Sequence, residues 1–323
     1  MNIPIMSGQV CPQNHLSGGT HMTQSISTKE KRTRTVGRRL STAFAALLVI
    51  VGGLCPLASC GKNKAEDYSY SLTVTDATIN GLNNKDLSTL NIPDAIDGVP
   101  VTIIGNSAFN GCTVITSVKL PKTVTTIGNS AFSGCVSMES VNVPDAVTSI
   151  GQYAFANCKV LKKVNIPDGV THIEHKTFFN CQSLTTADIP GHVSQIDSFA
   201  FSNCKSLKKV KIPNYVTKIE ANTFENCESL TSVEITNSIT SIDESAFAGC
   251  ASLGSIAIPA TVTKIGVNAF NGCTNLKKVE LPNPDTSIGK SAFANCPDLT
   301  IYAAKGSKVE VYARENNLKF KEL

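Results

Sequence analysis

The fold is decided by the 23-residue stretch TSIGQYAFANCKVLKKVNIPDGV, which runs from Thr148 to Val170. The same pattern returns every 23 residues from Ile104 onward, and no insertion breaks its register. Nine of the 13 phenylalanines share one position of the pattern, and nine of the 12 cysteines share another. These residues are Phe109, Phe132, Phe155, Phe178, Phe201, Phe224, Phe247, Phe270 and Phe293, with Cys112, Cys135, Cys158, Cys181, Cys204, Cys227, Cys250, Cys273 and Cys296. A fixed period of this length is the signature of a repeat array.

Each unit contains one short strand. Val164 and Ile166 alternate with Lys163 and Asn165, which is the period of a strand with one buried face. Pro167 ends this strand, because proline cannot donate a backbone hydrogen bond to a sheet. The Ile-x-x-x-Ala-Phe part of the unit is expected to pack from the other side as a short helical or 3₁₀ turn.

A single unit of this kind cannot bury both of its faces, whereas stacked units share one continuous core. The strands are then parallel at a spacing of about 4.8 Å, and each phenylalanine stacks on the next. We therefore expect a leucine-rich-repeat solenoid of the α/β class with mostly short parallel strands. It should wind into a right-handed curved superhelix with terminal caps.

The Ile-Gly-x-x-Ala-Phe-x-x-Cys and Val-x-Ile-Pro blocks resemble those of the BspA-like family of bacterial leucine-rich-repeat surface proteins. The resemblance covers about Leu87 to Ile301, and departures from the pattern are few. Thr236 replaces the proline of its unit, Ala187 replaces the strand valine, and Asp285 replaces the last valine. What the resemblance implies is adhesion to proteins of a host or of neighbouring cells.

The pattern divides the chain into five parts. They are a lipoprotein signal peptide (1–59), a lipidated cysteine with its tether (60–67), an N-terminal cap with an imperfect repeat (68–103), nine 23-residue repeats (104–301) and a C-terminal cap (302–323). In the N-terminal cap an alternating strand is expected at 68–74. In the C-terminal cap a short helix is expected at 306–319, with Val309 and Tyr312 facing inward.

The first sixty residues have the composition of a secretory signal. A basic stretch precedes the apolar run AFAALLVIVGGL (Ala43–Leu54), whose twelve residues are too few to span a bilayer as a helix. The run is followed by Leu57-Ala58-Ser59-Cys60, which resembles the bacterial lipobox. This resemblance implies cleavage before Cys60 and a lipid anchor on its thiol, so we expect an exported protein at a bacterial outer membrane or cell surface. The alternative is a plain signal peptide with a chance cysteine.

The basic excess of the chain belongs to this segment. Residues 1–60 carry six Lys or Arg and one acidic residue, whereas residues 61–323 carry 23 Lys or Arg and 24 Asp or Glu. A near-neutral repeat domain lacks the basic footprint of a nucleic-acid-binding protein. Nucleic acid is therefore not expected as a partner.

The cysteine ladder has three interpretations. Zinc sites need pairs of cysteines separated by about two to four residues, and here the spacing is 23, so no metal is expected. Disulfides between rungs need Cβ atoms about 3.8 Å apart, which is closer than the strand spacing. We therefore expect buried free thiols that act as small apolar side chains.

Solenoids commonly bind their partners on the concave strand face. The candidate binding residues are the exposed strand positions Lys119, Lys163, Asn165, Lys209, Lys211, Glu234, Lys278 and Glu280. No aromatic residue occupies these positions, so binding there should be polar and salt-sensitive. The alternative is a solubilising face that discourages lateral strand pairing.

Three histidines, His172, His175 and His192, lie with Glu174 in neighbouring units. Metal binding by this cluster stays open, and solvated turn residues are the alternative.

No motif in the sequence organises catalysis. There is no Gly-x-Ser-x-Gly elbow, no His-Glu-x-x-His pair and no phosphate-binding glycine-rich loop. The expected function is binding or adhesion by a surface lipoprotein to a protein or other macromolecular partner, without catalysis and without a cofactor. A structural scaffold lipoprotein inside the bacterial envelope is the alternative. Nine repeats are enough for a stable monomer, which is the expected state.

Overall fold

The computed structural model describes residues 62–323 of the chain. The expected signal peptide, residues 1–59, and the expected lipid attachment at Cys60 lie outside the described residues. The described chain packs on the repeats from its first residues onward, because the N–H of Asn63 donates to the carbonyl of Asn91 at 2.9 Å. No described helix is long and apolar enough to cross a membrane.

The described residues form 23 strands, one 3₁₀ turn at Ala65–Asp67 and one α-helix. In chain order the elements are β1 (Tyr68–Leu72), β2 (Ala77–Leu82), β3 (Thr89–Asn91), β4 (Ala95–Ile96), β5 (Val99–Ile104), β6 (Ser117–Lys119), β7 (Thr126–Ile127), β8 (Ser140–Asn142), β9 (Ser149–Ile150), β10 (Lys163–Asn165), β11 (His172–Ile173), β12 (Thr186–Asp188), β13 (Gln195–Ile196), β14 (Lys209–Lys211), β15 (Lys218–Ile219), β16 (Ser232–Glu234), β17 (Ser241–Ile242), β18 (Ser255–Ala257), β19 (Lys264–Ile265), β20 (Lys278–Leu281), β21 (Ser287–Ile288), β22 (Thr300–Ala303), α1 (Lys308–Glu315) and β23 (Lys319–Glu322).

These strands form two rows of parallel strands, which confirms the expected solenoid. The row that we call the front sheet holds the expected short strands, of three or four residues each, in the runs β3-β6-β8-β10-β12 (in spatial order), β14-β16 and β18-β20-β22-β23. The row that we call the side sheet runs β2-β5-β7-β9, β11-β13 and β15-β17-β19-β21, with β1 antiparallel to β2 at its end. The side sheet was not predicted from the sequence; from β7 onward its strands have two residues each and come from the Thr-x-Ile part of the units.

The segment between a side strand and the next front strand is a series of single turns closed by hydrogen bonds three residues apart, which is the 3₁₀ form of the short helical or 3₁₀ turn that we expected. Hydrogen bonds such as that from the Cys158 N–H to the Phe155 carbonyl (3.3 Å) close single turns. Two residues of each rung then adopt left-handed φ, which prevents the turns from continuing as a helix. In one rung these are Tyr153 (φ 58°) and Asn157 (φ 62°). The second of them is always Asn or Gly, directly before the cysteine, because these residues tolerate a left-handed backbone.

The phenylalanines stack in one column through the core, as expected. From Phe109 to Phe293 the centroids of successive rings are 5.2–5.7 Å apart, and the ring planes differ by 1–19°. Tyr68 closes one end edge-on at 6.4 Å from Phe109, and Tyr312 closes the other at 6.2 Å from Phe293. Each aromatic pair adds about 0.5–1.5 kcal/mol beyond the burial of its surface, so the column stabilises the stacking of every rung on the next.

The C-terminal cap combines a helix with a strand. Ser307 begins α1, because its Oγ accepts the N–H of Glu310 at 3.2 Å. Val309 is buried, as expected. The helix is shorter than expected, since Asn317 takes a left-handed φ of 55° and the chain continues as β23 beside β22. This final strand covers the edge of the front sheet.

Candidate functional site

The front sheet presents two outward side chains on each strand. In β10, Lys163 and Asn165 are exposed on either side of the buried Val164. Neighbouring strands pair in register, as in Lys209 with Ser232 and Val210 with Val233, so equivalent side chains form columns that run across the rungs.

All eight candidate binding residues lie in these columns. Lys163, Lys209 and Lys278 belong to the first column, and the second contains Lys119, Asn165, Lys211, Glu234 and Glu280. The residue before each strand adds a third column, which includes Glu139, Lys162, Lys208 and Lys277. The periodic pattern therefore placed every predicted residue on one surface.

Four ion pairs cross this surface. Lys162 binds Glu139 at 2.9 Å, and Lys278 binds Glu280 at 2.6 Å. Two longer pairs, both 3.9 Å, join Lys163 with Asp188 and Lys211 with Glu234. The hydrogen bond and charge of Lys162 lower the pKa of Glu139. Exposed pairs of this kind contribute only about 0–1 kcal/mol each, so they leave these lysines available to a partner.

Other lysines of the surface are not neutralised. Among the residues that the structure describes, no acidic group lies within ion-pair distance of Lys119, Lys208, Lys209 or Lys277. Lys208 and Lys209 stand beside Lys211 on β14, which makes this rung the most basic point of the front sheet.

The charge of residues 61–323 is distributed unevenly. The three front columns from β3 to β22 carry eight lysines and four acidic residues, namely Lys119, Lys162, Lys163, Lys208, Lys209, Lys211, Lys277 and Lys278 with Glu139, Asp188, Glu234 and Glu280. That leaves 15 of the 23 Lys or Arg and 20 of the 24 Asp or Glu for all other positions of this part of the chain. The front sheet is thus basic in a domain that is otherwise acidic.

Tyr302, an aromatic residue of the second column, was not predicted from the sequence. Tyr302 pairs with Glu280, and the ammonium groups of Lys278 and Lys321 lie 5.1 and 5.9 Å from its ring centroid. The 23-residue period hides it, because only one residue separates Leu299 from Ile301 where other units have two. Aligning the buried residues of the last unit, rather than counting from its cysteine, would have found it.

The side chains of the cysteine column are buried, and their thiols also donate hydrogen bonds. The thiol of Cys135 donates to the carbonyl of Phe109 at 3.2 Å, and the next seven ladder cysteines bond to the phenylalanine of the preceding rung in the same way at 3.1–3.3 Å. These eight cysteines are free thiols, as expected. The expectation was wrong at Cys112, which is disulfide-bonded. It is the first cysteine of the ladder, so no earlier ladder thiol stands beside it.

Burial suppresses ionisation of these thiols. It raises the pKa of Cys135, Cys181 and Cys250 from 9.0 to about 12. At Cys296, on the last rung, burial is less complete and raises the pKa to about 11. Because the thiolate is the reactive form, burial makes these thiols poor nucleophiles at neutral pH.

We expect the thiols to be protected from alkylation in the folded protein. Iodoacetamide treatment followed by peptide mass spectrometry should leave Cys135 to Cys273 unlabelled, since their thiolate is scarce and enclosed. Cys296 should be the first of the eight to react, because its burial is less complete. The same treatment in guanidinium chloride should label all eight. Rapid labelling of Cys204 in the folded chain would contradict the hydrogen-bonded, buried column.

The histidines do not converge on one point. Nδ1 of His175 lies 3.0 Å from Oγ of Ser198, and Nδ1 of His172 lies 3.0 Å from Oγ1 of Thr171, while His192 is exposed in a turn. Within residues 62–323, no three His, Cys, Asp or Glu side chains are arranged to hold a metal ion.

A cluster of aromatic side chains on the turns was also missed. Lys176 places its ammonium 4.8 Å from the ring centroid of Phe199, 5.5 Å from Tyr153 and 5.4 Å from Phe179. The ring of His175 meets Tyr153 and Phe199 edge-on. Tyr153, Lys176 and Phe199 share one left-handed repeat position, which Ser or Asn occupies in the other six rungs. Comparing that position between units would have revealed the cluster.

A cavity of about 330 Å³ lies between the last rung and α1. Asn295, Cys296, Tyr312, Asn316 and Leu318 are among its lining residues, and no carboxylate or imidazole belongs to the lining. Its only thiol is Cys296, whose pKa is raised. The cavity therefore offers no pair of nucleophile and base.

The BspA type leucine-rich repeat region, as a family, matches this chain in six copies over residues 79–208 and 194–317. The chain is similar to the crystal structure of a leucine-rich repeat protein from T. pallidum, at 28% identity and a TM-score of 0.55, over 67% of this chain and 90% of that one. It is also similar to a leucine-rich cell surface protein from Faecalibacterium prausnitzii, at 27% identity and a TM-score of 0.35, over 78% of this chain and 96% of that one. No curated protein matches. Since the family match spans well over half of its length, this chain belongs to the BspA type leucine-rich repeat proteins.

Proposed function

We propose that this protein is a surface-displayed binding module, without catalysis, whose front sheet takes an acidic region of a protein or other macromolecular partner. The observation that carries the proposal is the uneven distribution of charge. The front columns carry eight lysines and four acidic residues, whereas the rest of the domain is acidic. Charge complementarity steers association and fixes orientation. Membership of a family of bacterial surface-type repeat proteins supports a role in protein interaction.

Two groups of residues are proposed to make the contact. Lys208, Lys209 and Lys211 supply the strongest positive charge, on one rung. Tyr302, held between Lys278 and Lys321, supplies an aromatic side chain of the kind that anchors many interfaces. A partner that spans both groups would lie across the rungs, from β14 to β23.

We further propose that a lipid on Cys60 anchors the protein at the cell surface. The support is the lipobox-like Leu57-Ala58-Ser59-Cys60 sequence. Since Asn63 is bonded to β3, a lipid three residues earlier would hold the first rungs close to the membrane. Intact-protein mass spectrometry of the native protein and protease treatment of intact cells test this. A lipidated chain that is protected from protease would instead favour a scaffold inside the envelope.

Charge reversal on β14 is the direct test of the front sheet. The triple variant Lys208→Glu, Lys209→Glu, Lys211→Glu should bind fluorescent poly-glutamate at least about tenfold more weakly, because lost and reversed charges act together. Binding by the unchanged protein should weaken as salt is added. The measurement is fluorescence anisotropy at low ionic strength.

A matched control reverses the same number of charges elsewhere. Lys122, Lys264 and Lys290 are exposed away from the front columns and belong to no ion pair among the described residues. Their conversion to Glu should leave most of the binding intact. Equal losses in both triple variants would show that net charge alone, and not the front sheet, governs binding.

A further inference from the structure

The first strand of the described chain leaves one edge open. β1 pairs with β2 on one side, and among residues 62–323 no strand pairs with its other side. The N–H of Thr73 donates to the carbonyl of Asp76 across the hairpin, and Ser71 lies opposite Thr78. Because inward and outward groups alternate along a strand, the N–H and C=O of Leu72 point away from β2.

The same alternation turns the N–H and C=O of Tyr70 outward. Tyr70 and Leu72 lie between the hydrogen-bonded pairs of the β1–β2 ladder, and outside that ladder neither donates its N–H to another described residue. Two residues of β1 therefore carry backbone donors and acceptors that face outward at the end of the side sheet. This is the arrangement that accepts a further strand.

The side chains of the strand itself are uncharged and partly apolar. Residues 68–75 read YSYSLTVT and contain no Lys, Arg, Asp or Glu. Tyr70 is 37% exposed, Leu72 40% and Val74 98%. Natural sheets usually protect a free edge with charge, especially lysine, and β1 has none.

The opposite end of the solenoid is protected in that way. β23 is the last strand of the front sheet, and its sequence KFKE places Lys319 and Lys321 on an exposed strand. Like charges along β23 disfavour the addition of a second copy there. The molecule thus has one edge that admits a strand and one edge that repels it.

We propose that β1 is a docking edge for β1 of a second copy of this chain, paired antiparallel about a two-fold axis. With Tyr70 opposite Tyr70 of the second copy, these two residues exchange both backbone hydrogen bonds. Ser69 then faces Ser71 of the second copy, and Tyr68 faces Leu72. No charged residue of 68–75 is opposed in this register, and the neighbouring carboxylate of Asp97 accepts a hydrogen bond from the Tyr70 hydroxyl at 3.4 Å, so the uncharged strand is complementary to itself.

A closed dimer fits this edge better than an open-ended filament of copies does. A two-fold interface uses the same edge on both molecules and closes at two. At the other end of the solenoid α1 packs against β21 of the side sheet, and the front sheet ends in the charged β23, which opposes growth from that end. The paired strands are short, well below the roughly 1,600 Å² of a standard interface, so the pair should be reversible in solution and favoured where both copies share one membrane. Such a pair replaces the monomer expected from the repeat number.

Sedimentation velocity of the detergent-purified full chain over rising concentration tests this pairing. The unchanged protein should pass from monomer to dimer, and Tyr70→Lys should remain monomeric because two lysines would stand opposite each other. Tyr215→Lys is the matched control, since Tyr215 is 64% exposed and lies outside β1; it should dimerise normally. Thermal unfolding of all three checks that they fold.

Photo-cross-linking in cells identifies the occupant of the edge. The full chain with benzoyl-phenylalanine at position 70 should yield a product of twice the chain mass, joined within residues 68–75 of both copies. A cross-link to a different protein would overturn the proposal in favour of a foreign strand. A chain that stays monomeric at every concentration, or a Tyr70→Lys variant that still dimerises, would also overturn it. No front-sheet residue takes part, so these results are independent of the poly-glutamate test.

Discussion

Raising the pH from about 8 to about 10 should unfold this solenoid, or bring it close to unfolding, because of its eight buried thiols. A thiol in the unfolded chain ionises from its ordinary pKa of 9.0, whereas burial raises the pKa of Cys135 and Cys181 to about 12 in the folded chain. Burial also raises the pKa of Cys158, Cys204 and Cys227 well above 9.0.

The sign of the effect follows from proton counting. Between pH 9 and pH 12 the unfolded chain has lost thiol protons that the folded chain keeps, so the free energy of unfolding falls as the pH rises. At pH 10 each thiol lowers the free energy of unfolding by about 1.4 kcal/mol, and eight thiols lower it by about 11 kcal/mol. Typical domains are stable by only about 5–15 kcal/mol. At pH 9 the eight thiols together already cost about 3 kcal/mol, and below about pH 8 their cost is negligible.

Guanidinium unfolding at a series of pH values, followed by circular dichroism, measures this loss. Cys204→Ser is the matched variant, because serine keeps a donor for the Phe178 carbonyl but does not ionise in this range. Its stability should fall less steeply above pH 9, by roughly one eighth of the wild-type slope. A stability that stays flat to pH 11 in the unchanged protein would contradict the burial of protonated thiols.

Replacing one phenylalanine in the middle of the stacked column should also be severe. Phe201 is fully buried, with the Phe178 ring centroid at 5.3 Å on one side and the Phe224 centroid at 5.6 Å on the other. Phe201→Ala removes both stacking contacts and leaves a cavity that rigid neighbouring rungs cannot fill. We expect the free energy of unfolding to fall by about 3–5 kcal/mol.

Urea unfolding of Phe201→Ala against the unchanged protein measures this loss. Phe179→Ser is the control, because Phe179 is only partly buried and other rungs carry serine at its position, as at Ser133 and Ser202. This change removes one contact with Lys176 and should cost only about 0.5–1 kcal/mol. Similar losses in the two variants would mean that stacking in the column is not what holds the rungs together.

The 23-residue period was sufficient to predict the core and the strand face. It assigned Phe155, Cys158 and Val164 to the interior and Lys163 and Asn165 to the surface. A residue that returns at the same position nine times must occupy the same environment nine times, so one unit determines the others. The period also indicated that both ends need caps, and Val309 is buried in one of them.

Features that depend on contacts between rungs could be seen only in the tertiary structure. The side sheet is one of these, because its strands from β7 onward have only two residues and show no alternation in the sequence. Another is the hydrogen bond from each thiol to a carbonyl 26 residues earlier, which no local pattern specifies. Tyr302 was not predicted because the last unit has one residue fewer between Leu299 and Ile301, which shifts its strand relative to the 23-residue period.

The sequence by itself determined which side chains of this protein face inward and how the units stack, because burial repeats with the period. Only the tertiary structure decided which outward side chains meet, since neighbours on the surface are about 23 residues apart in the chain and differ from rung to rung. It paired Lys162 with Glu139, left Lys208 and Lys209 without an acidic partner among residues 62–323, and placed Tyr302 between two lysines. Those contacts, and not the repeat, give the front sheet its chemistry.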